Sequence, residues 1–153
     1  MYKLSIFILF VMMFTCIGSG VARAQTVAVI VHKTNPIVDL PLMELKKIFK
    51  AERQVWTKSE QILLATMNGE EETKFNQTIL EFSTKQFRKY WVKKVFQGQV
   101  KPIRSFRKVE EMQQFVAENL YAIGFLNAEQ LTPNVKAIRI DSKAYNEPGY
   151  ILK

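Results

Sequence analysis

A glycine-containing turn between a predicted strand and a predicted helix holds the residues best suited to binding chemistry. Residues 66–73 read Thr-Met-Asn-Gly-Glu-Glu-Glu-Thr, and the helix is predicted to start near Glu70. A glycine turn at such a junction points backbone N–H groups outward, and the partial positive charge of the helix N-terminus favours phosphate or sulfate. The three glutamates complement the same dipole by about 0.3–1 kcal/mol each and would repel an incoming anion. The segment therefore has the layout of an anion site, but its own carboxylates disfavour free phosphate there.

Patterns typical of enzymes and metal sites are absent from the sequence. His32 is the only histidine; it ends the first predicted strand, and we expect it at the carboxyl edge of the sheet, a common place for ligand sites. A single histidine without a cysteine or a spaced pair of carboxylates is a poor metal site. No Ser/His/Asp set, HExxH or Walker-type loop occurs, and no neighbouring cation or histidine poises residues 70–72 for acid–base work. We therefore expect no enzyme, no metal and no cofactor.

The first 24 residues have the three parts of a secretory signal peptide. Lys3 provides a positive start, residues 4–17 form an apolar run, and Ala22 and Ala24 stand where signal peptidase recognises small side chains. The alternative is an uncleaved anchor, but the run is short for a membrane span of about 20 residues. We predict a signal peptide over residues 1–24, a mature domain over residues 25–153 in the periplasm, and no integral membrane segment after cleavage.

The mature chain is basic and contains no cysteine. Cys16 leaves with the signal peptide, so a disulfide and cysteine chemistry are both excluded. Loss of Lys3 and Arg23 leaves 20 basic and 14 acidic side chains in 129 residues, a length that suits one domain. Export removes nucleic acid, the usual partner of a basic protein. The charge then indicates a small anionic solute, anionic lipid or polysaccharide, an acidic protein, or solubility alone.

Hydrophobic patterning predicts strands that alternate with amphipathic helices. Strands are predicted at residues 27–32, 62–65, 122–126 and 135–140. Helices are predicted from about Pro41, from near Glu70, over residues 83–96 after a Ser83/Gln86 capping box, and over residues 109–118. This alternation predicts an α/β fold, a single small three-layer domain with a mostly parallel sheet flanked by helices.

The helix predicted over residues 83–96 carries a dense basic surface. Its cations, and those that follow soon after it, are Lys85, Arg88, Lys89, Lys93, Lys94, Lys101, Arg104, Arg107 and Lys108. Two interpretations stay open. The run is either an ordinary solvated surface or a docking surface for an acidic partner in the cell envelope, such as a membrane transporter or another envelope protein.

An ordered set of motifs covers nearly all of the mature chain. It comprises Val-Ala-Val-Ile-Val at 27–31 with Asn-Pro at 35–36, Leu45-x-x-Ile48-Phe49 with Trp56, Asn-Gly at 68–69 with Phe75, Tyr-Trp at 90–91 with Val95, Phe96, Gly98 and Pro102, Phe-Val at 115–116, and Ala-Ile-Gly-Phe at 122–125. The set resembles the type 2 periplasmic solute-binding proteins of the phosphate-binding class. The resemblance implies one lobe of that fold and binding of a small oxyanion between two lobes for uptake.

The sequence departs from that family in length and in its phosphate loop. Its length suits one lobe, and it is most similar to the second. The family's loop runs Arg-Ser-Asp-Gly-Ser-Gly-Thr after the second strand. Without gaps, Ala65 replaces the arginine, Gly69 the serine, and Glu70 and Glu71 the glycine and threonine.

Two functions follow from the residues and the resemblance. The first is an exported, non-catalytic binding protein that resembles the substrate-binding component of a phosphate ABC transporter. Its candidate ligand residues are Thr34, Asn35, Asn68, Gly69, Glu70, Glu71, Thr73 and Ser105. The second is a periplasmic protein-interaction or envelope accessory module that has lost solute binding.

Overall fold

A five-stranded mixed sheet carries helices on both of its faces. The computed structural model describes residues 25–153, so the predicted signal peptide and its cleavage site lie outside the described residues. The strands are β1 (Val27–His32), β2 (Asp39–Leu40), β3 (Leu63–Met67), β4 (Arg104–Phe106), β5 (Ala122–Asn127), β6 (Val135–Ala137) and β7 (Arg139–Ile140). The helices are α1 (Leu42–Phe49), α2 (Glu70–Phe75), α3 (Thr84–Phe96) and α4 (Val109–Glu118); a π-helical segment, Asn76–Leu80, prolongs α2, and a 3-10 turn covers Ala128–Gln130.

The sheet has the strand order β4-β3-β5-β1-β6. Strand β3 is parallel to β4 and to β5, whereas β1 is antiparallel to both of its neighbours, β5 and β6. Four of these five strands therefore run in one direction, which confirms the predicted α/β fold with a mostly parallel sheet flanked by helices. Strands β2 and β7 form a separate parallel pair.

The reversed direction of β1 decides which residues share an edge of the sheet. Because Val27 pairs with Asn127, the start of β1 lies beside the end of β5, and His32 lies at the opposite edge. His32 is therefore not at the edge where β3, β4 and β5 end, contrary to the expectation from the sequence. Its Nδ1 accepts the backbone N–H of Thr34 at 3.1 Å, which is a local turn contact.

The core is built around three phenylalanines that have no exposed surface, Phe49, Phe75 and Phe125. The Phe75 and Phe125 rings stack with centroids 4.2 Å apart, and Phe49 packs against both rings at 4.6 and 5.8 Å. This cluster places α1 and α2 on the face to which Phe125 points, while α4 lies on the other face, where Met112 meets Gly124. No helix within residues 25–153 is long and apolar enough to cross a membrane.

Most helix boundaries agree with those predicted from the sequence, whereas the short strands β4, β6 and β7 differ from the prediction. The Ser83 capping box is present, since Ser83 Oγ accepts from Gln86 N at 3.2 Å and Gln86 Oε1 accepts from Ser83 N at 2.8 Å. The single strand expected at 135–140 is divided into β6 and β7, which belong to different sheets. Strand β4 is an unpredicted edge strand of three residues, too short to show an alternating pattern.

Gly124 allows α4 to approach the sheet closely. A Cβ at this position would lie 2.7 Å from Met112 Cε and 3.0 Å from the backbone oxygen of Ala65. The second contact is with the backbone of β3 and cannot be relieved by a side-chain rotation. Gly124 is therefore required by packing between β5, β3 and α4.

We expect Gly124→Ala to lower the free energy of unfolding of residues 25–153 by about 1–3 kcal/mol, because the added methyl overpacks the core. Urea unfolding followed by circular dichroism measures the change. Gly98→Ala is the control, since Gly98 has φ of 68° but open space around it, and its cost of about 1–2 kcal/mol comes from the backbone alone. A wild-type unfolding midpoint for Gly124→Ala would contradict the packing argument.

Candidate functional site

The ends of β3 and β4 bring three polar side chains together at one edge of the sheet. Ser105 Oγ donates to Asn68 Oδ1 at 2.7 Å, and Thr66 Oγ1 donates to Ser105 Oγ at 3.4 Å. The backbone N–H of Asn68 donates to Phe106 O at 2.9 Å and extends the parallel pairing past β3. These bonds orient the Asn68 amide, whose nitrogen has no acceptor among residues 25–153 and can donate to a ligand.

Gly69 turns the chain from this edge into α2. It has φ of 128° and ψ of −148°, a conformation that a residue with a Cβ rarely adopts. It is the residue that precedes the first turn of α2 and has no capping side chain. This glycine turn leads from Asn68 directly into the three glutamates of the first turn of α2.

Two of these three glutamates are occupied by contacts within the protein. Glu71 Oε1 accepts from Gln25 Nε2 at 2.8 Å, and the Glu72 carboxylate, only 3% exposed, accepts from Arg88 of α3 at 3.0 Å. Glu70 is exposed. The Arg88 guanidinium compensates the buried charge of Glu72, so the net repulsion of an anion at this edge is smaller than the sequence alone indicates.

Lys74 lies on the side of this turn that faces the start of β1. Its Nζ donates to the backbone oxygen of Gln25 at 2.6 Å, and partial burial lowers the pKa of its ammonium group. A concavity of about 720 Å³ lies on this side of the turn and is bordered by Gly69, Thr73 and Arg88. Thr73 uses its hydroxyl locally, since Thr73 Oγ1 donates to Gly69 O at 3.2 Å.

A groove of about 760 Å³ runs between α3 and residues 102–107. Its polar end contains Asn68, Ser105 and Arg107, together with the Glu72–Arg88 ion pair. Arg107 is exposed and has no hydrogen-bond or ion-pair partner within residues 25–153. The rest of the groove is lined by apolar side chains of α3 and of the segment before β4. We call this feature the α3–β4 groove.

The structure brings together only part of the predicted ligand set. Asn68 and Ser105 line the α3–β4 groove, and Gly69, Glu70, Glu71 and Thr73 belong to the adjoining turn. Thr34 and Asn35 lie at the opposite edge of the sheet, because they follow the reversed strand β1. Asn35 is 2% exposed and its side chain is already used: Nδ2 donates to Leu120 O and Oδ1 accepts from Ile37 N, both at 2.9 Å.

Arg88 and Arg107 are the functional candidates that the sequence did not single out as ligand residues. Both occur there within a long basic run, and nothing in the spacing distinguishes them from their neighbours. Arg107 follows β4 directly, so recognition of that strand would have placed it at the same edge as Asn68. Within residues 25–153, no group of three His, Cys, Asp or Glu side chains has the arrangement of a metal site.

The comparisons with known proteins give matches at the level of structure. No family model and no curated sequence matches the chain. PstS from Borrelia burgdorferi superposes with a TM-score of 0.64 at 13% identity, covering 84% of this chain and 54% of that one. A protein described as a phosphate ABC transporter substrate-binding protein with bound phosphate, from Clostridium perfringens, gives 0.60 at 20% identity, covering 76% and 45%. An ABC-type phosphate transport receptor from Vibrio cholerae gives 0.54 at 19% identity, covering 78% and 47%.

The chain spans about half the length of these similar structures. At identities of 20% or less the likeness establishes a shared fold, and ligands and partners are separate questions. The fold expected from the ordered motifs is thereby confirmed. The described chain has the fold of one lobe of the substrate-binding proteins of phosphate ABC transporters.

Proposed function

We propose that this chain is an exported, non-catalytic binding protein that holds a small anionic solute at the polar end of the α3–β4 groove. The observation that carries the proposal is the presence of two free donors at this end of the groove. The Asn68 amide nitrogen and the Arg107 guanidinium both border it and have no partner within residues 25–153. A positioned amide and an arginine fork are groups that bind oxyanions well.

The balance of charge at the groove favours a single small anion. Arg88 and Glu72 compensate one another, and Arg107 remains as the uncompensated charge. Glu71 accepts a hydrogen bond from Gln25 through Oε1, and its Oε2 lies beside Gly69. Among the described residues, an oxyanion at this end of the groove therefore meets one cation without a partner and one oriented amide, with Glu70 and Glu71 of the adjoining turn as opposing charges.

The open geometry predicts weaker binding than a closed cleft would give. The names of the similar structures refer to phosphate and to ABC transporters, and those proteins are about twice as long as this chain. A ligand enclosed on both sides loses water that would screen its charge. With one described lobe, the groove exposes the ligand to solvent, so we propose modest affinity. The names of the similar structures and the predicted signal peptide support two further parts of the proposal: a membrane transporter as partner and a periplasmic location.

Asn68→Asp tests the site with almost no change in shape. An aspartate still accepts the Ser105 hydroxyl, but it replaces the free donor by a negative charge, so we expect phosphate and sulfate affinity to fall by about a hundredfold or more. Arg107→Ala should weaken both by about tenfold, because a charge-assisted hydrogen bond is lost. Titration calorimetry of residues 25–153 measures these affinities.

Asn134→Asp is the matched control for Asn68→Asp. Asn134 is exposed and precedes β6, whose first residue pairs with His32 at the opposite edge, so the variant adds the same charge far from the groove. It should bind as the wild type does. Equal affinity in Asn68→Asp and Asn134→Asp, or no binding of any oxyanion by the wild type, would exclude the proposed site.

The basic surface of α3 supports the second candidate function, an envelope interaction module. Five of the thirteen residues of α3 are cations and none is acidic. Among residues 25–153, Lys85, Lys89 and Lys93 have no ion-pair partner, which leaves their charge available to an acidic protein or polymer. In this second candidate function the lobe acts through the α3 surface and has lost solute binding.

A capture experiment with residues 25–153 and an envelope extract tests this second function. Wild-type protein should retain a partner that the double variant Lys89→Glu/Lys93→Glu releases, because reversal of two charges lowers the net charge of this surface by four units. Lys33→Glu/Lys58→Glu makes the same change of charge at exposed positions outside α3 and should retain the partner. Release by both double variants would show an effect of net charge and exclude a specific surface.

A further inference from the structure

The α3–β4 groove is polar at one end and apolar along the rest of its length. Asn68, Ser105 and Arg107 form the polar end. Val92 and Phe96 on α3 face Pro102 and Ile103 on the other side. Inorganic phosphate or sulfate would use only the polar end and would leave the apolar walls in water.

Two large apolar side chains of the groove, Val92 and Phe96, are mostly exposed. Phe96 is 93% exposed and Val92 is 68% exposed, and they lie one helical turn apart on the same side of α3. Beneath them, Phe87 and Trp91 are buried and belong to the core. Val92 and Phe96 therefore make no contribution to the buried core in this structure, and an adjacent pair of exposed apolar side chains beside a polar pocket is a recognisable ligand-binding feature.

We propose that the ligand of this groove is an amphiphilic anion, a phosphate-like head group that carries a short apolar chain. The inference rests on the proposed anion site and specifies its ligand class. The head group contacts the Asn68 amide and Arg107, and the chain lies between Val92 and Phe96 on one side and Pro102 and Ile103 on the other. The volume of about 760 Å³ falls within the range of about 300–1,000 Å³ that is typical of small-molecule sites.

Charge argues against a second copy of this chain as the occupant of the groove. Helix α3 presents five cations and no acid, so two such surfaces would repel each other. A neutral hydrocarbon would leave Arg107 and the Asn68 amide unpartnered at the polar end. An anion with an apolar chain satisfies both ends of the groove.

Calorimetry of residues 25–153 with three probes tests the ligand class. Methyl phosphate has the head group without a chain, hexanol has the chain without a charge, and hexyl phosphate has both. A fully buried methylene should tighten binding by about fourfold. Burial of only about half of the methylenes that hexyl phosphate adds should therefore make it bind at least about thirtyfold more tightly than methyl phosphate. Hexanol should not bind measurably.

The double variant Val92→Ser/Phe96→Ser should remove the advantage of the chain, so that hexyl phosphate binds no more tightly than methyl phosphate. Both positions are exposed, so the variant preserves the core. Met43→Ser is the matched control, since Met43 is 62% exposed on α1 and outside the groove, and it should keep the thirtyfold difference.

Four results would overturn the inference. Equal binding of methyl and hexyl phosphate would leave a plain oxyanion site, and the proposed function would stand without it. Binding of neither phosphate would remove both. Equal binding of hexanol and hexyl phosphate would show an apolar groove with no role for Arg107. Capture by vesicles of phosphatidic acid in phosphatidylcholine, without binding of hexyl phosphate, would make this surface a membrane contact.

Discussion

The burial of Phe75 between Phe49 and Phe125 is the interaction on which the candidate site depends. Phe75 is the last residue of α2, and its stacking on Phe125 holds that short helix against the sheet. A six-residue helix has little stability of its own, so tertiary packing must keep it in place. The same packing positions Gly69 and Glu72 at the start of α2, next to the point where β3 ends. A contact in the core therefore determines the geometry of a surface site.

The first turn of α2 shows how negative charge at a helix N-terminus can be offset by contacts within the protein. Glu71 and Glu72 are bound by Gln25 and Arg88, which come from segments distant in sequence. Loss of Arg88 would be costly because it would leave the buried Glu72 carboxylate uncompensated, whereas Arg88 itself is 62% exposed. The proposed anion site lies beside the helix tip, at Asn68 and Arg107, whose donors have no partner within residues 25–153.

The α3–β4 groove lies on a single described lobe and is open to solvent. In the longer similar structures the fold continues well beyond the matched region, whereas in residues 25–153 the groove is bordered by only one lobe. Exposed apolar side chains at such a groove are costly to leave in water and are compensated when a ligand covers them. The basic surface of α3 next to it supplies long-range attraction for any anionic ligand or partner.

The sequence by itself determined the elements and their type, because periodicity and capping depend on residues within a few positions of one another. The capping box at Ser83, the helix at Val109–Glu118 and the buried strand β1 all follow from such local patterns. The tertiary structure alone decided the direction of β1, which separates Thr34 and Asn35 from Asn68, and the short edge strand β4, which brings Arg107 to the groove. Strand direction and edge pairing depend on partners far apart in the chain, and no local pattern encodes them.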